Sequence, residues 1–550
     1  MTVQFAPRLC APYLPQQLVF EMNGALFGVR QLRYHKPMSA LGRPPLASHE
    51  PVPDRRSRAY WAASGAVLAL YLGFAIGLSL TRIPICDEGW STSPTLSLIT
   101  NGGMGSPVLE SAGTYLRGIE QYTYWIMPLH ALIQAPWFHL FGATLFSTRM
   151  LSVAAGFVAL FCWFYVIRSV TGDRAVALLS LALISIDSTV LILASTGRSD
   201  MLSAAFGAAA LAAYLSLREN HFRWALFSAH AFAVASGLTH PIGGLIAVPS
   251  LVFLHFYFDG RRLRWPDLLP IAAPYLIGGV AWSAYILRSP EVFWAQFAGN
   301  SAGRLWPLKA PLAALQREFT DRFFPAYGLS PGANRVAKGR VMVLFLYAAA
   351  VLGLLGPRSL RRTQTAKVVG FLIAIVLFVL TFFEGAKQPW YLIHLTWLLA
   401  AAVAASYKWH AQARPSWRPV WIGMVAGLML LETGYAVALI AGRKYATIYQ
   451  PTIAALQRDL QPGQSVIGSA ELGFGLGFDR VKDDASLGYY SGKRPDFIVI
   501  DGNYRAHLAD LAHTRPVVYA SLRNMLQTAY QPLYANALYT VYARTRKATP

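Results

Sequence analysis

The sequence predicts a polytopic α-helical membrane protein, and three observations carry that prediction. Of the 550 residues, 55% are hydrophobic and only 13% are charged, against roughly 25% charged residues in a soluble chain. The apolar residues are gathered in runs near the roughly 20 residues that a membrane span needs. The basic residues sit in short clusters between alternate runs, which is the positive-inside pattern. The formal net charge of +22 therefore belongs to membrane topology, and a nucleic-acid partner is excluded. Fifteen Trp and 27 Tyr supply interfacial anchors.

Residues 1–59 are Pro-rich and basic, without a long period, and read as a cytoplasmic tail. The first apolar run, 60–80, is uncharged and has no small-residue cleavage site after it, so it is a span and not a signal peptide. Further runs lie near 150–168, 174–195, 201–217, 222–238, 241–258, 267–287, 341–357, 367–383, 389–407 and 419–441, about eleven spans in all. Thr239-His240-Pro241 divides what would be one long run, because Pro removes a helical hydrogen bond. Arg55, Arg56 and Arg58 precede the first span and place the N-terminus inside. Arg168 and Arg174, Arg218 and Arg223, Arg261 to Arg264, Arg358 to Lys367, and Lys408 to Arg418 fall in the later inner links. The short outer links carry little more than Arg198 and Lys387. The long loop 288–340 is the exception, outer yet basic through residues such as Arg304, Arg317 and Arg322.

Parity decides one ambiguous run. Residues 122–142 are apolar enough to span but contain Pro128, His130, Pro136 and His139. A span there would turn every later basic cluster outward, so the segment is expected to lie on the outer leaflet as an interfacial helix. The division that results is a tail at 1–59, a membrane unit at 60–442 with outer loops at 81–149 and 288–340, and a C-terminal unit at 443–550 outside the membrane, periplasmic or extracellular. In that last unit a helical run near 451–460 alternates with strand-like runs at 465–468 and 497–500, which predicts a small α/β domain.

Polar groups concentrate at the outer ends of the spans. Asp87-Glu88 follows the first span beside Trp90. Two carboxylates there suit a general base with a metal or hydrogen-bonding partner, or simply a solvated interfacial pair. Thr196-Gly197-Arg198-Ser199-Asp200 occupies a short outer link, where Arg and Asp form either a functional group or a plain salt bridge. Arg198, His240 and Lys387, with Arg149 at the head of its span, would suit a phosphate anion if they converge; singly, each reads as an interfacial residue. Asp187 and Glu432 lie within spans, where carboxylates are costly. Cys10, Cys86 and Cys162 have no metal spacing, and no Walker loop, zinc motif or nucleophile elbow is present.

In order along the chain, these features resemble the GT-C superfamily of glycosyltransferases. The acidic pair after the first helix is that superfamily's opening mark. Residues 122–142, followed by Leu145-Phe146-Ser147-Thr148-Arg149-Met150-Leu151-Ser152, resemble its horizontal helix and the "lfG…alRlps" stretch. Asp187 and then Gly197-Arg198-Ser199-Asp200-Met201-Leu202 resemble "D/P…aRpDml", and Lys387-Gln388-Pro389-Trp390-Tyr391-Leu392 resembles "K-x-P-x-Y-L". The resemblance spans roughly 60–400 and is nearest to family 39, with its protein O-mannosyltransferases and lipid A aminoarabinose transferases. His240-Pro241 stands where members often carry Lys-Gly, and Glu120-Gln121-Tyr122 replaces a Pro-Pro pair, which points to a different acceptor side.

The resemblance implies a GT-C fold and inverting transfer of a sugar from a polyprenyl-phosphate donor to an acceptor hydroxyl at the outer face of the cytoplasmic membrane. Asp87 would be the base, and Asp200 would orient it or the acceptor, or hold a metal. Glu88 and Glu120 would be acceptor-side or metal candidates, the metal being a divalent cation. Arg149, Arg198, His240, Lys387 and Tyr391 would hold the donor phosphate. The acceptor would be a glycan, a lipid or a protein. A transporter, the main rival, would carry inverted repeats and midplane polar groups; a scaffold would leave the outer Asp and Arg residues scattered. A separation of Asp87 from Asp200 beyond two helix diameters, roughly 20 Å, would exclude the transferase.

Overall fold

The computed structural model describes residues 55–330 and 335–545, so the expected N-terminal tail lies outside the described residues up to position 54. Helix α1 (Arg55–Thr81) is the uncharged first run with its basic leader. It passes into α2 (Cys86–Asn101), which Gly102 closes in the left-handed conformation at φ 71°. Helix α3 (Pro128–Phe141) opens on Pro at its first turn and has 14 residues. At 1.5 Å per residue that is about 21 Å, short of the ~30 Å apolar thickness of a bilayer. The length therefore suits an interfacial helix and not a span.

The bundle continues with α4 (Leu145–Thr171), α5 (Arg174–Ile186), α6 (Ser188–Ala194), α7 (Ser199–Leu217), α8 (Phe222–Thr239), α9 (Pro241–Asp259) and α10 (Leu268–Ile286). The second long loop holds α11 (Pro290–Ala302) and α12 (Pro311–Arg317), and the bundle closes with α13 (Val341–Leu355), α14 (Gln364–Phe383), α15 (Ile393–Ala413) and α16 (Arg418–Ala441). Among the described residues, nine helices are long and apolar enough to cross a membrane, or ten if α5 and α6, bent by 58°, form one span. The expected count of about eleven included α8, whose 18 residues fall below that apolarity because they carry Arg223, Ser228, His230 and Ser236. Helix α8 packs among α7, α9 and α10, where neighbouring helices satisfy its polar groups in place of lipid.

The helices alternate between two ends. At one end Arg218 bonds Asp259 at 2.8 Å, Gln364 donates to the Val170 carbonyl at 2.9 Å, and Lys408 pairs with Asp173. At the other end the carboxylates of α2 meet Arg149, Gly197 and Arg198.

After α16 the chain continues through α17 (Gln450–Asp459) into a five-stranded sheet of β1 (Val466–Ile467), β2 (Val481–Lys482), β3 (Phe497–Ile500), β4 (Tyr530–Ala535) and β5 (Thr540–Arg544). The order is β2-β1-β3-β5-β4, with β1 parallel to β2 and β3, and β5 antiparallel to β3 and β4. Strand β3 is buried on both faces. Phe497 and Val499 enter one core with α17 and with Val108, Leu109 and Ile119 of the loop between α2 and α3. Ile498 and Ile500 enter a second core with α18 (Gly502–Thr514) and α19 (Pro516–Ala529). The period of two along a strand produces this division. The loop between α2 and α3 is thus part of the C-terminal unit's core, a join between distant segments that composition does not reveal.

Candidate active site

Adjacent residues of a helix point about 100° apart, so Asp87 and Glu88 at the start of α2 diverge. Glu88 turns into the protein. It takes two hydrogen bonds from Arg149, at 2.8 Å each, and a third at 2.8 Å from the Gly197 amide. Arg149 also donates to the carbonyls of Ser79 at 2.7 Å and Arg82 at 3.0 Å. Both side chains are 1% exposed. Burial acts to raise the Glu88 carboxyl, yet the Arg149 guanidinium and the Gly197 N–H hold it below the usual carboxylate range. The Glu88–Arg149 pair fastens α2, α4 and the link before α7 together. Gly197 is required there, because a Cβ would lie 2.1 Å from the Thr148 methyl.

Asp87 turns the other way, to Arg198. Arg198 bonds Asp200 through Nε at 2.7 Å and lies over the Trp390 ring, 4.5 Å from its centroid. One guanidinium therefore joins two carboxylates from different helices, far inside the roughly 20 Å of two helix diameters. Asp87 and Arg198 keep 13% and 12% side-chain exposure, while Asp200 keeps 1%. The second carboxylate oxygen of Asp200 is buried without a hydrogen-bond partner among the described residues.

Three histidines lie within electrostatic reach of Asp200: His130, His240 and His394. Burial pushes His130 and His240 down to about 4, so both are neutral at pH 7. His240 Nδ1 accepts from the Ile242 amide at 3.3 Å. Its proton then sits on Nε2 and is donated to the Tyr391 hydroxyl at 3.2 Å. Tyr391 also bonds Arg304. Arg304 lies 3.7 Å from Glu384 and is 32% exposed, which leaves an open side on that cation.

Lys387 sits elsewhere. Its ammonium donates to Glu318 at 2.9 Å and to the carbonyls of Thr381 at 2.5 Å and Leu380 at 3.3 Å. Arg322 completes this buried set, bonding Glu318 at 2.6 Å and Glu384 at 2.9 Å. Glu120 accepts from Ser111 at 2.8 Å and lies near Lys482 of the C-terminal unit, so its described contacts are away from Asp87 and Asp200. Asp187 caps the broken span: it accepts from the Thr189 amide at 2.8 Å and from the Tyr347 hydroxyl at 2.8 Å, and Glu432 accepts from the Ser188 amide at 2.9 Å. Among the described residues no three His, Cys, Asp or Glu side chains are grouped to hold a metal ion. Arg198 fills the position between Asp87 and Asp200 that a bridging divalent cation would need.

Sequence reasoning missed Arg304, His394 and the Glu318–Arg322 pair. The signal for the basic residues was the loop 288–340, which broke the charge asymmetry. The signal for His394 was its spacing of three from Tyr391, one helical face.

No family model matches the chain, and no curated protein matches it. Among solved structures, the fold is similar to ArnT from Cupriavidus metallidurans bound to undecaprenyl phosphate, with a TM-score of 0.57 and 13% identity over 90% of this chain and 98% of that one. It is also similar to the Archaeoglobus fulgidus oligosaccharyltransferase in its apo form, with a TM-score of 0.53 and 13% identity over 90% of this chain and 76% of that one. At such identities the likeness is one of fold. The chain is a polytopic helical membrane protein with a fold similar to that of the GT-C glycosyltransferases.

Proposed function

We propose that the chain is an inverting glycosyltransferase that moves a sugar from a polyprenyl-phosphate donor to an acceptor hydroxyl at the outer face of the cytoplasmic membrane. Kinship with family 39 is part of this reading. The observation that carries it is the Asp87–Arg198–Asp200 bridge at one end of the bundle, beside the His240–Tyr391–Arg304 chain. Asp87 takes the acceptor proton as the acceptor oxygen attacks the anomeric carbon and the bond to the phosphate oxygen breaks. Both electrons of that bond leave with the phosphate, whose charge then grows. Arg304, with its open side, and the Tyr391 hydroxyl stabilise it by charge-assisted hydrogen bonds. Arg198 pairs with Asp87 and lies on the phosphate side. Asp200, buried and bonded to Arg198 Nε, orients Arg198 and through it Asp87.

This reading reassigns two residues. Arg149 and Lys387 spend their donors on Glu88 and Glu318, so they hold the site's walls and do not touch the phosphate. The acceptor is a glycan, a lipid or a protein.

The test is transfer of labelled sugar from polyprenyl-phosphate donors by the full chain in vesicles. General-base removal costs about 10²–10⁴-fold, so Asp87→Asn should lose transfer by that factor while the protein still assembles. Full transfer by Asp87→Asn would remove Asp87 as the base. Sugar that crosses the vesicle membrane without being transferred would favour a transporter.

A further inference from the structure

Asp483, in the C-terminal unit, lies 393 positions from Trp90, yet its carboxylate is the meeting point of three segments. One oxygen accepts from the Trp90 indole N–H at 2.8 Å and from the Ala470 amide at 3.1 Å. The other accepts from the Tyr504 hydroxyl at 2.8 Å. Its backbone is tied as well, with its N–H donating to Val108 at 2.7 Å and its carbonyl accepting from the Glu110 amide at 3.2 Å. Trp90 is one helical turn beyond Asp87, on α2. Gly89, between them, is pressed so closely on Ala470 that a Cβ would come within 2.5 Å of its carbonyl. The Trp90 ring also meets Trp125 edge-on, at 5.3 Å. The start of α2 is thus held from two sides: by Arg149 on Glu88 in the membrane unit, and by Asp483 on Trp90 in the C-terminal unit.

We infer that Asp483 is a positioning residue for the site: through Trp90 it fixes the rotation and depth of α2, and so the place of Asp87 beside Arg198. The C-terminal unit then serves the site directly instead of merely being carried by the membrane unit. One turn of helix separates Trp90 from Asp87, so a loosened indole lets the base swing. Hydrogen bonds to ionised groups are the stronger class, and a buried indole N–H left unpaired adds its own cost. The kinetic consequence rests on the transferase reading; the structural one does not.

The experiment is hydrogen exchange of the full chain in nanodiscs, read at α2 and at α4 as an internal control, on Asp483→Ala, Asp483→Asn and Trp90→Phe. Loss of one such bond should speed α2 exchange by about tenfold in Asp483→Ala and Trp90→Phe, with α4 unchanged. Asp483→Asn, which keeps an acceptor for the indole, should recover most of the protection. Trp90→Phe keeps an aromatic ring against Trp125 while removing the N–H donor and the five-membered part of the indole, so it is read beside Asp483→Asn, which leaves the indole whole, and it decides the matter if Asp483→Ala does not assemble. Unchanged α2 exchange in Trp90→Phe would overturn the inference. In the transfer assay, Trp90→Phe should lower kcat while leaving the donor KM as it was; an equal kcat would overturn the kinetic part. If the wild-type chain transfers no sugar, the transferase reading fails, and the exchange result still decides whether Asp483 places α2.

Discussion

Asp87 and Glu88 are neighbours in the chain and belong to different parts of the molecule. Glu88 is sealed, 1% exposed, with Arg149 spent on it and on the carbonyls of Ser79 and Arg82. Asp87 reaches a guanidinium that it shares with Asp200 and keeps a share of solvent. A motif of two carboxylates therefore contains one residue suited to hold the scaffold and one suited to chemistry. The same division separates two basic residues, Lys387 and Arg304. Lys387 is enclosed by Glu318 and backbone carbonyls, whereas Arg304 keeps an open side.

The largest effect should come from breaking the sealed pair. Glu88→Gln leaves Arg149 buried without a counter-charge, which costs about 3–5 kcal/mol, and the three segments that Glu88 joins should separate. Thermal unfolding in detergent or nanodiscs checks this, and transfer should fall only in step with the folded fraction. An Asp87→Asn protein should unfold near the wild-type temperature while its transfer is lost. If the two variants behaved alike, the division between the neighbours would be wrong.

A smaller effect separates the two cations. Arg304→Gln removes a charge-assisted hydrogen bond worth about 1.5–3 kcal/mol, so donor binding should weaken by roughly tenfold or more. Lys387→Gln should act on stability first, because it removes one of the two cations that pair with the buried Glu318. Titration with a polyprenyl phosphate, read by displacement of a labelled lipid, distinguishes them.

The smallest effect concerns pH and the C-terminal unit. Burial raises the Asp483 carboxyl to about 6 and lifts its neighbours Glu471 and Asp501 above the ordinary carboxylate value. Tyr504 and Trp90 face Asp483 as hydrogen-bond donors. A carboxyl raised on folding binds its proton more tightly in the folded state, so its contribution is complete below about 4 and lost as pH rises through about 6. Exchange protection of β3 and α18, corrected for the intrinsic pH dependence of exchange, should therefore be greater at pH 5 than at pH 7.5, with a smaller difference in Asp483→Asn. Protection that rose towards neutral pH would contradict the burial of these acids.

Much of this was legible in the sequence because membrane spans and charge asymmetry are local signals. The runs gave α1, α4, α7, α9 and the later helices, and parity separated 122–142 from the spans. The C-terminal strands at 466–467 and 497–500 were legible as short apolar runs, but β4 and β5 were not, since the half-exposed Tyr530–Ala535 run lacks a clean alternation. The sequence also brought Asp87, Arg198, Asp200, His240 and Tyr391 to one end of the bundle, which the fold does as well. It could not tell which cations would be spent internally. The fate of Arg149 depends on Glu88 across 61 positions, and that of Lys387 on Glu318 across 69, and one sequence carries no signal for such pairings. Nor could it show Asp483 behind Trp90, where the loop between α2 and α3 and the C-terminal unit share one core.

The most direct test is a structure of the chain with a polyprenyl phosphate added in nanodiscs. The phosphate should lie against Arg304 and Tyr391, on the Arg198 side of Asp87, with Arg149 still paired to Glu88 and Lys387 to Glu318. Phosphate density on Arg149 or Lys387, or at the opposite end of the bundle near Arg218 and Arg262, would contradict the account.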